Sequence, residues 1–108
     1  MALRPVEFHI MLVLAAEEQH GYTILQEVSA LTDGELELEP GTLYRALHRM
    51  LKDGWVAESS RRPARDLDDE RRRYYMLTPL GRRVATAEAN RLARLVTRAR
   101  AHRLLRHG

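Results

Sequence analysis

Apolar and polar positions along the chain set out four helices and two strands. From Pro5 to Glu18 the apolar residues fall on two sides of a helix. Phe8, Met11, Leu12 and Ala15 lie on one side, and Val6, Ile10, Val13 and Leu14 on the other. A helix that is apolar nearly all round is covered on both sides, so the side with Phe8, Met11 and Leu12 is expected to meet a second copy of the chain. Pro5 suits a first helical position. His20-Gly21 reads as a turn, and a second helix follows to about Leu31, with Ile24, Leu25, Val28 and Leu31 as its stripe. Thr32-Asp33-Gly34 closes that helix, with Gly34 placed to take a left-handed cap. Glu35-Leu36-Glu37-Leu38-Glu39 alternates with period two, the pattern of a short half-buried strand or an extended connection.

A third helix is predicted from Pro40 to Asp53-Gly54. Leu43, Leu47, Met50 and Leu51 share one face, and Arg45, Arg49 and Lys52 the opposite one, with Thr42 and His48 on its margins. Two strands follow, Trp55–Ser60 and Arg73–Thr78, the second rich in β-formers. The polar segment between them, Arg61 to Arg72, is too long for a tight hairpin turn. Thr78-Pro79 then opens a last helix, threonine as cap and proline at the first position. It is predicted to run from Leu80 to about His107, a rod of roughly 40 Å at 1.5 Å per residue. Val84, Ala85, Leu92, Leu95, Val96 and Ala99 fall in one broad stripe on it. That stripe outruns a core of this size and calls for a second copy of the same helix.

Composition narrows the options. At 108 residues the chain is one folding unit with a modest core. The absence of cysteine excludes a disulfide framework, a thiolate zinc site and a cysteine nucleophile. The five histidines show no metal-ligand spacing, and no nucleophile–base pair or glycine-rich phosphate loop is present, so neither a metal or other cofactor nor catalysis is expected. The apolar run Ile10–Ala16 is far short of the ~20 residues that span a bilayer, and the N-terminus does not read as a secretory signal. A cytoplasmic protein without a membrane partner is expected. The net charge of +3 conceals a split: residues 1–60 carry four basic and ten acidic side chains, net −6, and residues 61–108 fourteen and five, net +9. Such asymmetry points to a polyanionic partner.

Three helices followed by a two-stranded hairpin is the layout of a winged helix-turn-helix, a mainly α fold with a small β hairpin. Residues 1–78 are then a DNA-binding unit and 79–108 a C-terminal dimerisation helix. In this layout one helix enters the DNA major groove and the hairpin wing lies on the backbone. His20-Gly21-Tyr22, Pro40-Gly41-Thr42-Leu43-Tyr44-Arg45-Ala46-Leu47, Asp53-Gly54-Trp55 and Arg73-Tyr74-Tyr75-Met76-Leu77-Thr78-Pro79-Leu80-Gly81 together resemble the PadR family of bacterial transcriptional regulators, over roughly residues 5 to 85. The resemblance implies a winged-helix repressor that dimerises through its C-terminal region, here a single helix. It also implies that a small-molecule effector, phenolic or cationic and hydrophobic, relieves repression in some members. Three positions depart from the pattern. Glu39 replaces a serine-like cap, Met76 a polar or basic residue, and the last helix lacks the tryptophan on which multidrug-sensing members stack flat aromatics.

Candidate contacts to double-stranded DNA follow. Arg45, Arg49, Lys52 and His48 offer charge and hydrogen bonds to phosphates or base edges. Thr42 and Tyr44 place hydroxyls near the start of their helix, and Tyr22 does so on the helix before. Both tyrosines serve equally well as packing. Arg61, Arg62, Arg72 and Arg73 bracket the wing, whose acidic tip (Asp66, Asp68, Asp69, Glu70) turns from the DNA. The expected homodimer interface joins Phe8, Met11 and Leu12 to Val84, Glu88, Leu92, Leu95, Val96 and Ala99. Glu88 lies within the apolar stripe and pairs either with Arg91 of its own helix or with an arginine of the partner. A rival class is a winged helix that binds another protein and no specific DNA, since fold does not fix function.

Overall fold

The computed structural model describes residues 3–59 and 73–105. They form α1 (Pro5–Ala16), β1 (Gln19–His20), α2 (Gly21–Leu31), α3 (Pro40–Lys52), β2 (Val56–Glu58), β3 (Tyr74–Leu77) and α4 (Pro79–Ala101). The fold is mainly helical with a small antiparallel sheet, a winged helix-turn-helix extended by a C-terminal helix. No helix among the described residues is long and apolar enough to cross a membrane.

The core lies where α1, α2 and α3 converge on the sheet. Ile10, Met11, Ile24, Val28, Leu43, Leu47 and Met50 are fully buried in it, and Trp55, Val56 and Tyr75 close it from the wing side. Met11 therefore belongs to the core of its own protomer. The expectation that it faces a partner is corrected; Leu12, 44% exposed, and the half-buried Phe8 and Ala15 remain open on that side of α1.

The sheet has the order β1-β3-β2. Val56 pairs with Leu77 and Glu58 with Tyr75, while Gln19 and His20 pair with Tyr75 and Tyr74 on the other edge. The strand β1 was not expected, because two residues are too few to show a period. His20, read as a turn, pairs in that strand and also caps α2, its Nδ1 accepting the Thr23 backbone N–H at 3.3 Å. Its ring also meets Tyr74 edge-on, with centroids 5.4 Å apart. Tyr75 is buried while Tyr74 is half-buried, the opposite-faced placement expected of neighbours in a strand.

Residues 35–39 form no strand; they are the extended connection that the alternation also allowed. Leu36 and Leu38 tuck against the core, and Glu35, Glu37 and Glu39 face solvent. Half-burial of a single extended chain produces the period of two without any ladder.

Three helices end in the same way. After α2, the N–H of Gly34 reaches the Ser29 carbonyl at 2.8 Å and that of Asp33 reaches Ala30 at 3.2 Å. After α3, Trp55 bonds to Met50 at 2.9 Å and Gly54 to Leu51 at 3.2 Å. These paired closing bonds require a left-handed residue just past the cap. That residue is Asp33 (φ 52°) after α2, followed by Gly34 at φ 83°, and Gly54 (φ 79°) after α3. The last helix closes identically at Arg103 (φ 62°), with Leu104 bonded to Ala99 at 2.8 Å. The expected run to His107 is thus cut at Ala101, by a stop made without glycine or proline. The helix is 23 residues long, about 35 Å.

Thr78 anchors the start of α4 as expected. Its hydroxyl accepts the Gly81 N–H at 2.9 Å and donates to the Gly54 carbonyl. Gly81 itself packs on the Trp55 backbone carbonyl, so close that a Cβ would overlap it. Arg82 Nη2 donates to the Ala15 carbonyl at 3.2 Å, satisfying the end of α1, which has no basic residue of its own in its last turn. Beyond Ala85 the helix leaves the core and gives the molecule its 55 Å long axis.

Candidate nucleic-acid interface

The interface is built on α3. At about 100° per residue, Arg45 lies at the centre of its open face. Lys52 falls beside it, with Thr42 and Arg49 along one flank and His48 along the other. Arg45, His48 and Lys52 are exposed, while Leu43, Ala46, Leu47 and Met50 hold the opposite face in the core. The expected division of this helix into an anchoring and a presenting side is what the fold shows.

Each basic side chain is held differently. Arg45 Nη2 donates to the Thr42 hydroxyl at 3.3 Å, which leans the guanidinium toward the start of the helix. Glu39 caps that start without a side-chain hydrogen bond, so its charge favours the helix dipole only. Arg49 reaches back toward α1. Its Nε lies 3.5 Å from Glu7 Oε2, and the Nε atom is shielded from solvent and makes no hydrogen bond of good geometry there. Glu7 is buried, and its other oxygen accepts the Arg4 backbone N–H at 3.1 Å across the first turn of α1. Glu7 stands three residues past the helix cap, the position of the acid in a capping box.

Of the two roles open to Tyr44, the fold takes packing. Tyr44 is buried, and its ring lies against Gly21 at the start of α2, where a Cβ would come within 2.5 Å of the phenol oxygen. The glycine of His20-Gly21-Tyr22 and the tyrosine of Gly41-Thr42-Leu43-Tyr44 are thus two halves of one contact that sets α3 against α2. Tyr22, by contrast, is 54% exposed on the first turn of α2.

At the base of the wing Arg73 Nη1 lies 3.6 Å from Glu58 on the neighbouring strand, both side chains close to half exposed. Such a pair contributes about 0–1 kcal/mol and yields easily to a phosphate. Arg61, Arg62, Arg72 and the acidic tip lie outside the described residues.

On the expected dimer face, Val84 packs partly on the core, Leu92 and Ala99 are half-buried, and Leu95 and Val96 are 54% and 38% exposed. Glu88 pairs within its own helix, receiving Arg91 Nε at 2.8 Å and Nη2 at 2.7 Å. Those hydrogen bonds hold the Glu88 carboxyl below its ordinary value; partial desolvation opposes them, and the arginine's charge adds to them. The intrahelical alternative read from the sequence is the one observed.

A helix-turn-helix whose second helix presents cations away from a packed core, flanked by a hairpin, defines a winged-helix DNA-binding transcriptional regulator. Residues 10–87 match the model of the transcriptional regulator PadR-like family, and the chain belongs to that family. It is 36% identical over 90 residues to the transcriptional regulator Rv3488 of Mycobacterium tuberculosis, spanning 83% of this chain and 78% of that protein. In fold it resembles a transcriptional regulator from Clostridium thermocellum, with TM-score 0.72 and 23% identity over 94% of this chain and 90% of that one. It resembles equally a PadR family transcription regulator from Clostridium difficile, with TM-score 0.72 and 22% identity over 90% and 96% of the two chains.

Proposed function

We propose that the protein is a cytoplasmic homodimeric repressor that binds a palindromic operator. Each protomer lays α3 in a major groove and its wing on the flanking backbone, with half-sites about one helical turn apart. The observation that carries this reading is the open face of α3, where Arg45, His48 and Lys52 are exposed together. The exposed Leu95 and Val96 on a helix that outreaches the core support pairing of two α4 arms.

Relief by a small-molecule effector is part of the same proposal. A groove of about 750 Å³ runs beside α4, lined by the apolar Leu3, Trp55, Val84 and Ala87 and by the charged Glu88, Arg91 and Arg94. A compound entering it presses on Trp55 and α4 at once, and so acts on the joint between the arm and the DNA-binding body.

The test is selection of bound sequences from random DNA by the purified protein. A palindromic motif is expected, with affinity falling ~10³-fold or more between 50 and 200 mM salt if six or more phosphates are contacted. Binding only at very low salt, with no enriched motif, overturns the proposal in favour of a protein partner.

A further inference from the structure

Among the described residues, Arg49 of α3 is held by a charged group from another helix. The holding group is fixed before the arginine reaches it. Glu7 is buried at the first turn of α1 and tied there through Oε1 to the Arg4 backbone N–H at 3.1 Å. Its Oε2 remains for Arg49 Nε at 3.5 Å. A buried carboxylate without a counter-charge is costly, so this oxygen holds the arginine in place. The guanidinium is a rigid plane of five N–H groups. Its Nε edge faces inward and is shielded, while the side chain as a whole is 42% exposed. Beyond Glu7, Arg49 has no partner among the described residues, so the Nη edge is free. That outer fork is the part of an arginine that grips guanine O6 and N7 together. Ordering such a side chain costs rotamer freedom, and the pair with Glu7 has met part of that cost before DNA arrives.

We infer that Glu7 is a positioning residue for sequence reading: it pins the Nε of Arg49 so that the Nη edge stands along the flank of α3 as a bidentate reader of a guanine. The first helix then shapes specificity without touching DNA. The inference rests on the placement of α3 in the major groove proposed above. Arg45, tethered to an uncharged hydroxyl of its own helix, and Lys52, a point charge, have no comparable brace.

The experiment compares selected sequence profiles of the wild type, Glu7→Gln, Arg49→Ala and the double variant, alongside their thermal unfolding. Glutamine keeps an oxygen for the Arg4 N–H and removes the charge. The wild-type motif is expected to contain one guanine per half-site whose preference falls about tenfold in Arg49→Ala. The same position, and no other, is expected to lose preference in Glu7→Gln, with no further loss in the double variant. A Glu7→Gln profile identical to wild type, whatever its stability, overturns the inference. So does tighter binding of random DNA with a salt slope steeper by about one unit, since Glu7 would then mask the arginine instead of aiming it. A wild type without any motif instead defeats the groove placement itself, which keeps the two failures apart.

Discussion

α3 and α4 begin alike, each with proline at its first position and an apolar stripe along one side, and they end alike. Their stripes meet different fates. In α3, Leu43, Leu47 and Met50 are wholly buried by the protomer's own helices. In α4 Val84 and Ala85 of the first turns pack on the core, Leu92 and Ala99 are half-buried, and Leu95 stands 54% exposed. An apolar period therefore announces that a face will be covered, while leaving open which chain covers it. For α3 the stripe serves folding. For α4 the outer half of the stripe has no work within the protomer.

That contrast can be broken at several points. Leu47→Ala on α3 should cost about 2–5 kcal/mol, read as a lower unfolding midpoint in denaturant at every protein concentration. Gly81→Ala should cost about 3 kcal/mol, because the new methyl meets the Trp55 backbone and not a yielding side chain. A near-normal melting temperature there would show that α4 is not seated as described. Leu95→Glu on the outer stripe should leave the protomer's unfolding almost unchanged, yet weaken self-association by about 2 kcal/mol in sedimentation. Equal loss of protomer stability would erase the distinction between the two helices. Gly54→Ala, a left-handed position where the new methyl would make only an ordinary contact with Leu80 Cδ2 at 3.7 Å, should cost about 1 kcal/mol through backbone strain alone. The smallest effect belongs to Glu88. Its carboxyl titrates below its ordinary 4.5 in the folded protein, so the stabilisation from its pair with Arg91 is present above the unfolded value and disappears as pH falls through the lowered folded one. NMR titration of the carboxyl carbon should show the midpoint rising in Arg91→Ala.

The order of helices and the wing were legible because each leaves a period or a cap in the sequence. The three cations of α3 were legible for the same reason. The misses share a cause too. Arg103 ends α4 in a left-handed conformation that any sequence rule assigns to glycine. Gln19-His20 is a strand only because β3 lies beside it. Met11 reads as a partner contact because apolar character says nothing about which neighbour arrives, and the fold puts it in the core; of the two roles open to Tyr44, the fold takes packing, in the cleft at Gly21. Glu7 and Arg49 are distant in sequence, and only the packing of α1 on α3 makes them a pair.

The seating of Gly81 on Trp55, reinforced by Arg82 on the end of α1, has a metric consequence for a two-fold dimer. It ties the first turn of α4 to the body at two points. A tilt of roughly 6° at that joint carries the far end of a ~35 Å helix through about 3.5 Å, close to the rise of one base pair. In the homodimer proposed above, the width of a single absent methyl group would thus gauge the spacing between half-sites, and small changes beneath Trp55 would shift the register on the operator.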